Sequence, residues 1–289
     1  MKKVLITGTA GGFGKPTALA LLARGYAVAG SVRSRSGKNA TTVAELEAAG
    51  AKIVEMDVTD AASTERGVDD AISQLGGLDI LFNNAGIGSY GIQELMSPDD
   101  MAHVFDVNVM GVQRVMRAAL PHMRAQGRGT VLYTSSLIGR IATPFYGTYS
   151  ASKWALEAIV ECYRTELSGF GIESCIIEPG AMPTAFFDGL VAPNDAAREA
   201  EYGDFAAVPA MSNAGLAQML EATPMQRPER IAETVAALLD MPFGQKPFRT
   251  VVDHVGVGPE IERYNDVLHD VTRTVLTNFG IAEMLDLNA

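Results

Sequence analysis

Basic side chains are scarce. Lys and Arg total 23 against 34 Asp and Glu, a formal net charge of −11 over 289 residues. So acidic a chain lacks the basic footprint that nucleic-acid backbones require, although one local pocket for a phosphate stays compatible with it. Cysteine is nearly missing: Cys162 and Cys175 are the two, they form no CxxC pair, and histidines number four. No zinc-ligand spacing exists, so no metal site is expected. Both thiols read as reduced core residues of a cytoplasmic protein. No stretch has the ~18 uninterrupted apolar residues of a membrane-spanning helix. The opening MKKVLITG has two lysines without a long apolar run behind them, which predicts neither a signal peptide nor an anchor. Internal repeats and low-complexity tracts are absent too.

Hydrophobic residues make up 47% of the chain and charged residues 20%, enough apolar material for a sizeable core and too few charges for disorder. KKVLITG reads as a buried strand ending in glycine. GKPTALALLARGY follows with helical spacing, Pro16 in its first turn and Gly25 near its end. The rhythm repeats: strand AVAGSV, helix TTVAELEAAG, strand AKIVEMDV, helix AASTERGVDDAISQLGG, strand LDILFNNAG. A single long helix, capped by Ser97, is predicted from SPDDMAHVF through HMRAQG. Strand GTVLYTSS, the helix carrying Tyr149 and strand IESCIIEPG complete six alternations. Strands buried on both faces and alternating with helices predict a doubly wound parallel α/β sheet in one domain spanning 1–289. Its core would occupy 1–180. Residues 181–225, rich in Ala, Met, Phe, Pro and Gly, would form a lid over the strand C-termini. Residues 226–289 would add helices and a last strand in FRTVVDHV.

TGTAGGFGK, residues 7–15, sits between the first strand and its helix. Gly8 permits a tight turn, while Gly12 and Gly14 remove the Cβ atoms that would block a pyrophosphate or the helix–strand packing. A glycine turn alone is a weak signal, but its place after the first strand points to a dinucleotide. Where NAD-specific sites carry an acid after the second strand, this chain has Val32 and then Arg33, with Arg35 nearby. A guanidinium there suits a 2′-phosphate, so NADP(H) is the expected cofactor, with NAD(H) also possible. Tyr149 and Lys153 stand four apart, on one face of a helix. An ammonium beside a phenol lowers the phenol's pKa toward neutrality, which an acid–base catalyst needs. A Tyr-x-x-x-Lys pair by itself is most often surface decoration; behind a dinucleotide loop it reads as catalytic.

In this order the motifs resemble the short-chain dehydrogenase/reductase family: TGTAGGFG at 7–14, DV at 57–58, NNAG at 83–86, Asn108 in FDVNVMG, SSLIG at 135–139, Tyr149 with Lys153, and PGAMPT at 179–184. The matches span roughly 1–185. ASKWALEAIVE and the long C-terminal part resemble the branch containing 17-beta-hydroxysteroid and retinol dehydrogenases. Lys15–Pro16 is not the family's usual continuation. The resemblance implies a Rossmann-type fold and roles position by position. Gly8, Gly12, Phe13 and Gly14 would line the pyrophosphate, and Asp57 and Val58 would contact the adenine. Asn84, Ala85 and Gly86 would pass behind the cofactor. Pro179, Gly180, Met182 and Thr184 would fix the nicotinamide carboxamide. Both Ser135 and Ser136 are available; the family's spacing to the tyrosine selects Ser136 to polarise the carbonyl. Lys153 would also hold the nicotinamide ribose, and Asn108 would position a water linking Lys153 to solvent.

The expected activity is NADP(H)-dependent hydride transfer to or from an alcohol or ketone, with Tyr149 as acid/base. A catalytically silent redox sensor is the competing class, and a sugar-nucleotide epimerase on a similar fold a third. Apolar residues of the lid (Met182, Phe186, Phe187, Leu190, Phe205, Met211, Leu216 and Met219) predict a hydrophobic substrate. No Arg or Lys lies between Met182 and Ala197 to clamp an anionic one. A homo-oligomer, dimer or tetramer, is expected, with neither a nucleic-acid nor a membrane partner.

Overall fold

Strand β1 (Lys3–Ile6) carries Val4, Leu5 and Ile6, all with no exposed surface. Successive side chains of a strand leave on opposite faces, so Val4 and Ile6 enter one core and Leu5 the other. The computed structural model, which describes residues 1–287, extends this pattern to seven parallel strands. They are β1, β2 (Ala27–Val32), β3 (Lys52–Glu55), β4 (Ile80–Asn83), β5 (Gly129–Thr134), β6 (Ile172–Pro179) and β7 (Arg249–Val252), in the spatial order β3-β2-β1-β4-β5-β6-β7. The order reverses between β1 and β4. That switch point opens a crevice beyond the strand C-termini, where ligands of such sheets bind.

Helices cover both faces. On one side α3 (Ala61–Leu75), α5 (Gly111–Gln126) and α6 (Gly147–Ser168) pack Val68, Val115, Met116 and Leu156 against Leu5, Leu81, Val131 and Ile176. On the other, α1 (Gly14–Ala23), α2 (Ala40–Ala48) and α9 (Glu229–Asp240) pack Leu21, Leu46, Ile231 and Val235 against Val4, Phe82, Leu132 and Ile177. The expected Rossmann-type sheet is thus present, with β7 as its seventh strand. The segment after β6 holds α7 (Ala196–Glu201) and α8 (Val208–Glu221), and α8 buries no residue. The C-terminal part carries α10 (Gly258–Asn278), followed by a 3-10 turn at Ala282–Leu285 that buries Leu285.

Two expectations fail. The long helix is not uniform: α4 (Pro98–Phe105) starts at a capping box of Ser97 and Asp100, but Asp106–Met110 winds as a π-helix before α5 begins. Such wide turns occur mostly where function uses them. Cys162 is exposed on α6, and only Cys175 is a core residue.

Strand β6 is buried along its whole length although it contains Glu173 and Glu178. Lys246 lies 2.7 Å from Glu173, with side chains 3% and 7% exposed. Backbone N–H groups of Gly244 and Lys246 also donate to this carboxylate at 3.0 and 3.4 Å. Removing one partner of a buried pair costs about 3–5 kcal/mol. Lys246→Met, which leaves Glu173 those N–H bonds and the Thr130 hydroxyl at 3.4 Å, is expected to lower unfolding free energy by about 3 kcal/mol in urea titration; a change below about 1 kcal/mol would show that these neutral donors satisfy Glu173 without the ammonium.

Candidate active site

The glycine turn leads from β1 into α1. Gly8 has φ +73, and a Cβ there would stand 2.9 Å from the Ala85 Cα, so the turn rests directly on the segment after β4. Gly12 has φ +53 and nothing within 4 Å of a Cβ position, so its backbone faces open space. Phe13 precedes α1 without a side-chain cap, and the first turn has no acid. An uncapped helix N-terminus beside bare backbone suits an anion. These residues fit the pyrophosphate of a dinucleotide.

The segment after β4 is pinned by side chains. The Thr7 hydroxyl accepts from the N–H groups of Asn84 and Ala85 at 2.9 and 3.0 Å. Asn84 Nδ2 donates back to the carbonyls of Thr7 and Gly8 at 3.0 and 3.2 Å. Gly86 follows; a Cβ there would lie 3.2 Å from Asn108 Oδ1 and 3.7 Å from Lys153 Nζ. Asn108, in the π-helical turn and 1% exposed, brackets Ile87 with its amide. Its Oδ1 accepts from the Ile87 N–H and its Nδ2 donates to the Ile87 carbonyl, both at 2.9 Å. Nδ2 also reaches Ser152 Oγ at 3.0 Å, which ties α6 to the same point.

Beyond β2, Arg33 is exposed and makes no ion pair among the described residues. Arg35 is committed elsewhere, to Glu47 and to the Ile53 carbonyl. Asp57, two residues beyond β3, is held below the usual carboxylate range by the Thr59 N–H above all, then by the Thr59 hydroxyl, Arg33 and Arg114, against the opposing effect of burial. The Val58 side chain packs on Gly111 in the core, and its carbonyl accepts from Arg114 at 3.0 Å. Met182 is enclosed as well. It is 2% exposed within the core that contains Cys175 and Ile231. Pro179 ends β6, and Gly180 is wedged against Asp253 and Gln226. Thr184 Oγ1 accepts from the Phe186 N–H at 3.3 Å.

Beyond β5, Ser135 and Ser136 differ sharply. Ser135 is 2% exposed, and its hydroxyl, beneath Gly139, has no hydrogen-bond partner. Ser136 is half-buried; its Oγ accepts from the Ile138 N–H at 3.3 Å and lies 3.5 Å from the Pro179 carbonyl. Tyr149 stands on α6, 8% exposed, with its ring 5.5 Å from that of Phe186 in a T-shaped contact. Lys153 Nζ donates to the Thr134 carbonyl at 2.8 Å and lies 5.7 Å from the Tyr149 ring centre. The expected acidification of the phenol is not seen. Burial drives the Tyr149 pKa above its usual range, offset only in part by the bond with Ser136. Burial also pulls Lys153 down to about 8, partly countered by Glu157 one turn along α6.

Of the lid residues, Phe186 and Leu190 reach the site: both would collide with a Cβ on Gly88. Phe205, Met211 and Met219 are 47%, 70% and 38% exposed, and the Phe205 ring packs 6.2 Å from that of Phe145 and 6.0 Å from that of Tyr202. Sequence reasoning missed Thr7 and Ser152, short polar residues without a spacing signal. It missed Thr134 because its carbonyl, common to every residue type, does the binding. It also missed Tyr146, whose hydroxyl is buried without a partner three residues before Tyr149.

The family model for short chain dehydrogenases matches residues 2–194. The chain belongs to the short-chain dehydrogenase family. It is 35% identical over 201 residues to a 3-ketodihydrosphingosine reductase of Bacteroides thetaiotaomicron, covering 70% of this chain and 71% of that one. To the 17-beta-hydroxysteroid dehydrogenase type 1 of Mus musculus it is 34% identical, over 65% of this chain and 56% of the other. A short-chain dehydrogenase from Streptomyces avermitilis superposes with TM-score 0.74 at 29% identity, covering 97% and 96% of the two chains. A family member from Burkholderia phymatum in complex with NAD gives 0.75 at 26%, over 93% and 95%. The protein is accordingly an oxidoreductase of this family, and its relatives bind nicotinamide dinucleotides of either kind.

The two serines make a clean comparison. Losing one donor to a developing oxyanion costs about 10²–10³ in rate. Ser136→Ala is expected to lower kcat/KM by that much. Ser135→Ala, whose hydroxyl bonds nothing, should change it less than about tenfold. The reverse order in steady-state assays would assign the role to Ser135.

Proposed function

We propose that the protein is an NADP(H)-dependent carbonyl reductase or alcohol dehydrogenase for hydrophobic substrates, with Tyr149 as acid/base. The observation that carries this reading is the convergence of the Tyr149 and Ser136 hydroxyls under Phe186, with the Lys153 ammonium behind them. The bound nicotinamide would supply or accept the hydride. Gly8, Gly12, Phe13, Gly14 and the α1 N-terminus would bind the pyrophosphate, and Asn84, Ala85 and Gly86 would back the dinucleotide. Pro179, Gly180 and Thr184 would orient the nicotinamide carboxamide. For Met182 and Val58 only the backbone is available, since both side chains are in the core.

During reduction, Ser136 donates a hydrogen bond to the substrate oxygen as it gains charge, and Tyr149 hands it the proton. A phenol kept protonated by burial is the form that this donor needs. Lys153 offsets the phenolate charge left behind, and Asn108 holds the turn around Ile87 through which a water would resupply the proton. Phe186 and Leu190 exclude bulk water, which strengthens each of these interactions. With no Arg or Lys between Met182 and Ala197, an apolar alcohol or ketone is the substrate class.

Positioned acid catalysis contributes about 10²–10⁴-fold. With NADPH and a homologous series of ketones, Tyr149→Phe should lose that factor in kcat while retaining cofactor binding. In the wild type, kcat/KM should rise about fourfold per added methylene until the pocket fills, as expected for ~0.8 kcal/mol each. Activity of Tyr149→Phe at the wild-type level would remove the assignment. The pH profile has a definite sign. Lys153 with a pKa of about 8 is charged below that pH and neutral above it. Reduction measured as kcat/KM should be level at lower pH and decline as pH rises through about 8.

The cofactor preference rests on Arg33. One charge-assisted hydrogen bond to the 2′-phosphate is worth about 1.5–3 kcal/mol, or roughly ten- to a hundredfold in affinity. Arg33→Ala should weaken NADPH binding by that factor and leave NADH binding nearly unchanged. Tighter binding of NADH than of NADPH by the unaltered protein would reverse the preference.

A further inference from the structure

Tyr146 is a polar residue of the crevice that the chemistry does not use. Its hydroxyl is buried and has no hydrogen-bond partner. Buried hydroxyls are nearly always paired, and a phenylalanine would fill the same space without the cost of an unmet polar group. The ring stands against that of Tyr90, with centroids 4.6 Å apart and an interplanar angle of 60°. The Tyr90 hydroxyl is turned to the roof, where it donates to the Pro209 carbonyl of α8 at 2.7 Å. Tyr146 precedes Tyr149 by three residues at the start of α6, a separation that sets side chains beside each other on one helix face. Burial raises the Tyr149 pKa, the bond with Ser136 lowers it, and the nearness of Tyr146 adds to the rise.

The backbone that presents Tyr146 is strained. Among the described residues Phe145 alone, apart from glycines, has a positive φ, +69. The Tyr146 N–H donates to the Thr143 carbonyl at 3.4 Å. With Pro144 second and a left-handed residue third, residues 143–146 have the form of a type II turn, whose third position favours glycine. The Phe145 carbonyl accepts from the Gly91 N–H at 2.8 Å, and its ring packs 5.9 Å from that of Tyr90. Strain of this kind persists where the surroundings enforce it, and it clusters at positions that grip ligands. Here it sets Tyr146 beside both Tyr90 and Tyr149.

Given the carbonyl-reductase reading of this site, on which the inference rests, we propose that Tyr146 is a specificity residue: its hydroxyl binds a second, neutral oxygen of the substrate, so that hydrophobic hydroxyketones are preferred over plain ketones. The chemistry of the group limits the ligand. Burial above all, then Tyr90, pushes the Tyr146 pKa up to about 12, so the phenol is neutral at working pH. A neutral phenol offers no charge to a carboxylate or phosphate, and no Arg or Lys between Met182 and Ala197 supplies one. Toward a hydroxyl it can both donate and accept. Cβ atoms three residues apart on a helix are about 5–6 Å from each other. Two phenols so placed suit two oxygens joined by a short carbon chain, of which a β-hydroxyketone is the simplest. The reaction itself is unchanged: the carbonyl carbon gains the hydride of NADPH, its oxygen gains the Tyr149 proton, and Tyr146 keeps its own.

Matched ketones test this directly. With NADPH, the wild type should reduce 4-hydroxy-2-octanone with a kcat/KM at least about tenfold above that for 2-octanone, because the plain ketone leaves the site's hydroxyl unpaired. Tyr146→Phe keeps the ring and removes the hydroxyl. It should abolish the preference, lowering kcat/KM for the hydroxyketone about tenfold and leaving that for 2-octanone within about twofold. Its melting temperature should not fall, since the change deletes an unpaired polar group. Equal use of both ketones by the wild type, or a preference that survives in Tyr146→Phe, would overturn the inference and leave the proposed function standing. So would equal losses on both ketones with a lowered melting temperature, which would make Tyr146 a packing residue. Reduction of neither ketone by the wild type would overturn the proposed function and this inference with it.

Discussion

A continuous chain of hydrogen bonds runs from the Lys153 ammonium to the glycine turn, and the geometry of the crevice depends on it. Lys153 donates to the Thr134 carbonyl at 2.8 Å, and the Thr134 hydroxyl donates to Asn84 Oδ1 at 3.3 Å. Asn84 Nδ2 in turn holds the carbonyls of Thr7 and Gly8. The constraint behind this is topological. Where the strand order reverses, the chain segments leaving β1 and β4 diverge, and no ladder bonds join them beyond the sheet. Their backbone groups still require partners. Asn84 and Thr7 provide those partners, which fixes the spacing between the residues that would grip the dinucleotide and those that would perform the chemistry.

Much of this was legible in the sequence where short spacings carry the physics. The glycine turn depends on three Cβ deletions after a strand, and the structure gives two of them positive φ. Tyr149 and Lys153 lie on one face of α6 because four residues separate them. The parallel sheet followed from apolar runs alternating with amphipathic ones. The π-helical turn at Asp106–Met110 was not legible, since DVNVM continues an α-helical pattern. The wide turn is stabilised by contacts remote in sequence, the Asn108 bracket on Ile87 and its bond to Ser152. The state of the phenol was hidden for a related reason. Proximity to Lys153 argued for a lowered pKa, but burial, a property of the whole fold, raises it, and the bond with Ser136 offsets that only in part. Cys162 misled because its apolar neighbours belong to α6 generally and not to the inward side of that helix.

Buried charge was equally invisible. Glu157 and Glu178 are 2% and 0% exposed, and they share Arg249, whose Nε lies 3.0 and 3.4 Å from them. Arg140 adds contacts at 4.0 and 3.7 Å, and Asn265 of α10 donates to Glu178 at 2.6 Å. Burial still pushes the Glu178 carboxyl upward, with Glu157 reinforcing the shift. A cluster of this kind contributes little net stability compared with apolar packing. What it does is fix geometry: Glu178 directly precedes Pro179, Glu157 lies one turn beyond Lys153, and Arg140 follows the Ser136 loop. Three segments of the candidate site are thus held to one another from behind.

The two walls of the crevice consequently differ in kind. The floor is built from strand ends and cross-linked polar groups with almost no exposed surface, so its atoms have few alternative positions. The roof is a segment whose helix α8 buries nothing and which touches the site chiefly through Phe186 and Leu190. A parallel bridge between Ser89 and Val191, with backbone bonds of 3.0 and 2.9 Å, fastens its near end to the segment after β4. Few buried contacts mean low local stability, and such segments open most readily. Catalytic groups need positions fixed to a fraction of an ångström, whereas an apolar substrate of variable shape needs a wall that yields. Under the proposed function, the hydroxyls of Tyr149 on α6 and Ser136 after β5 stand on the rigid floor and the apolar contacts on the roof, so side chains above Tyr149 would change what is accepted without moving the hydroxyls beneath it.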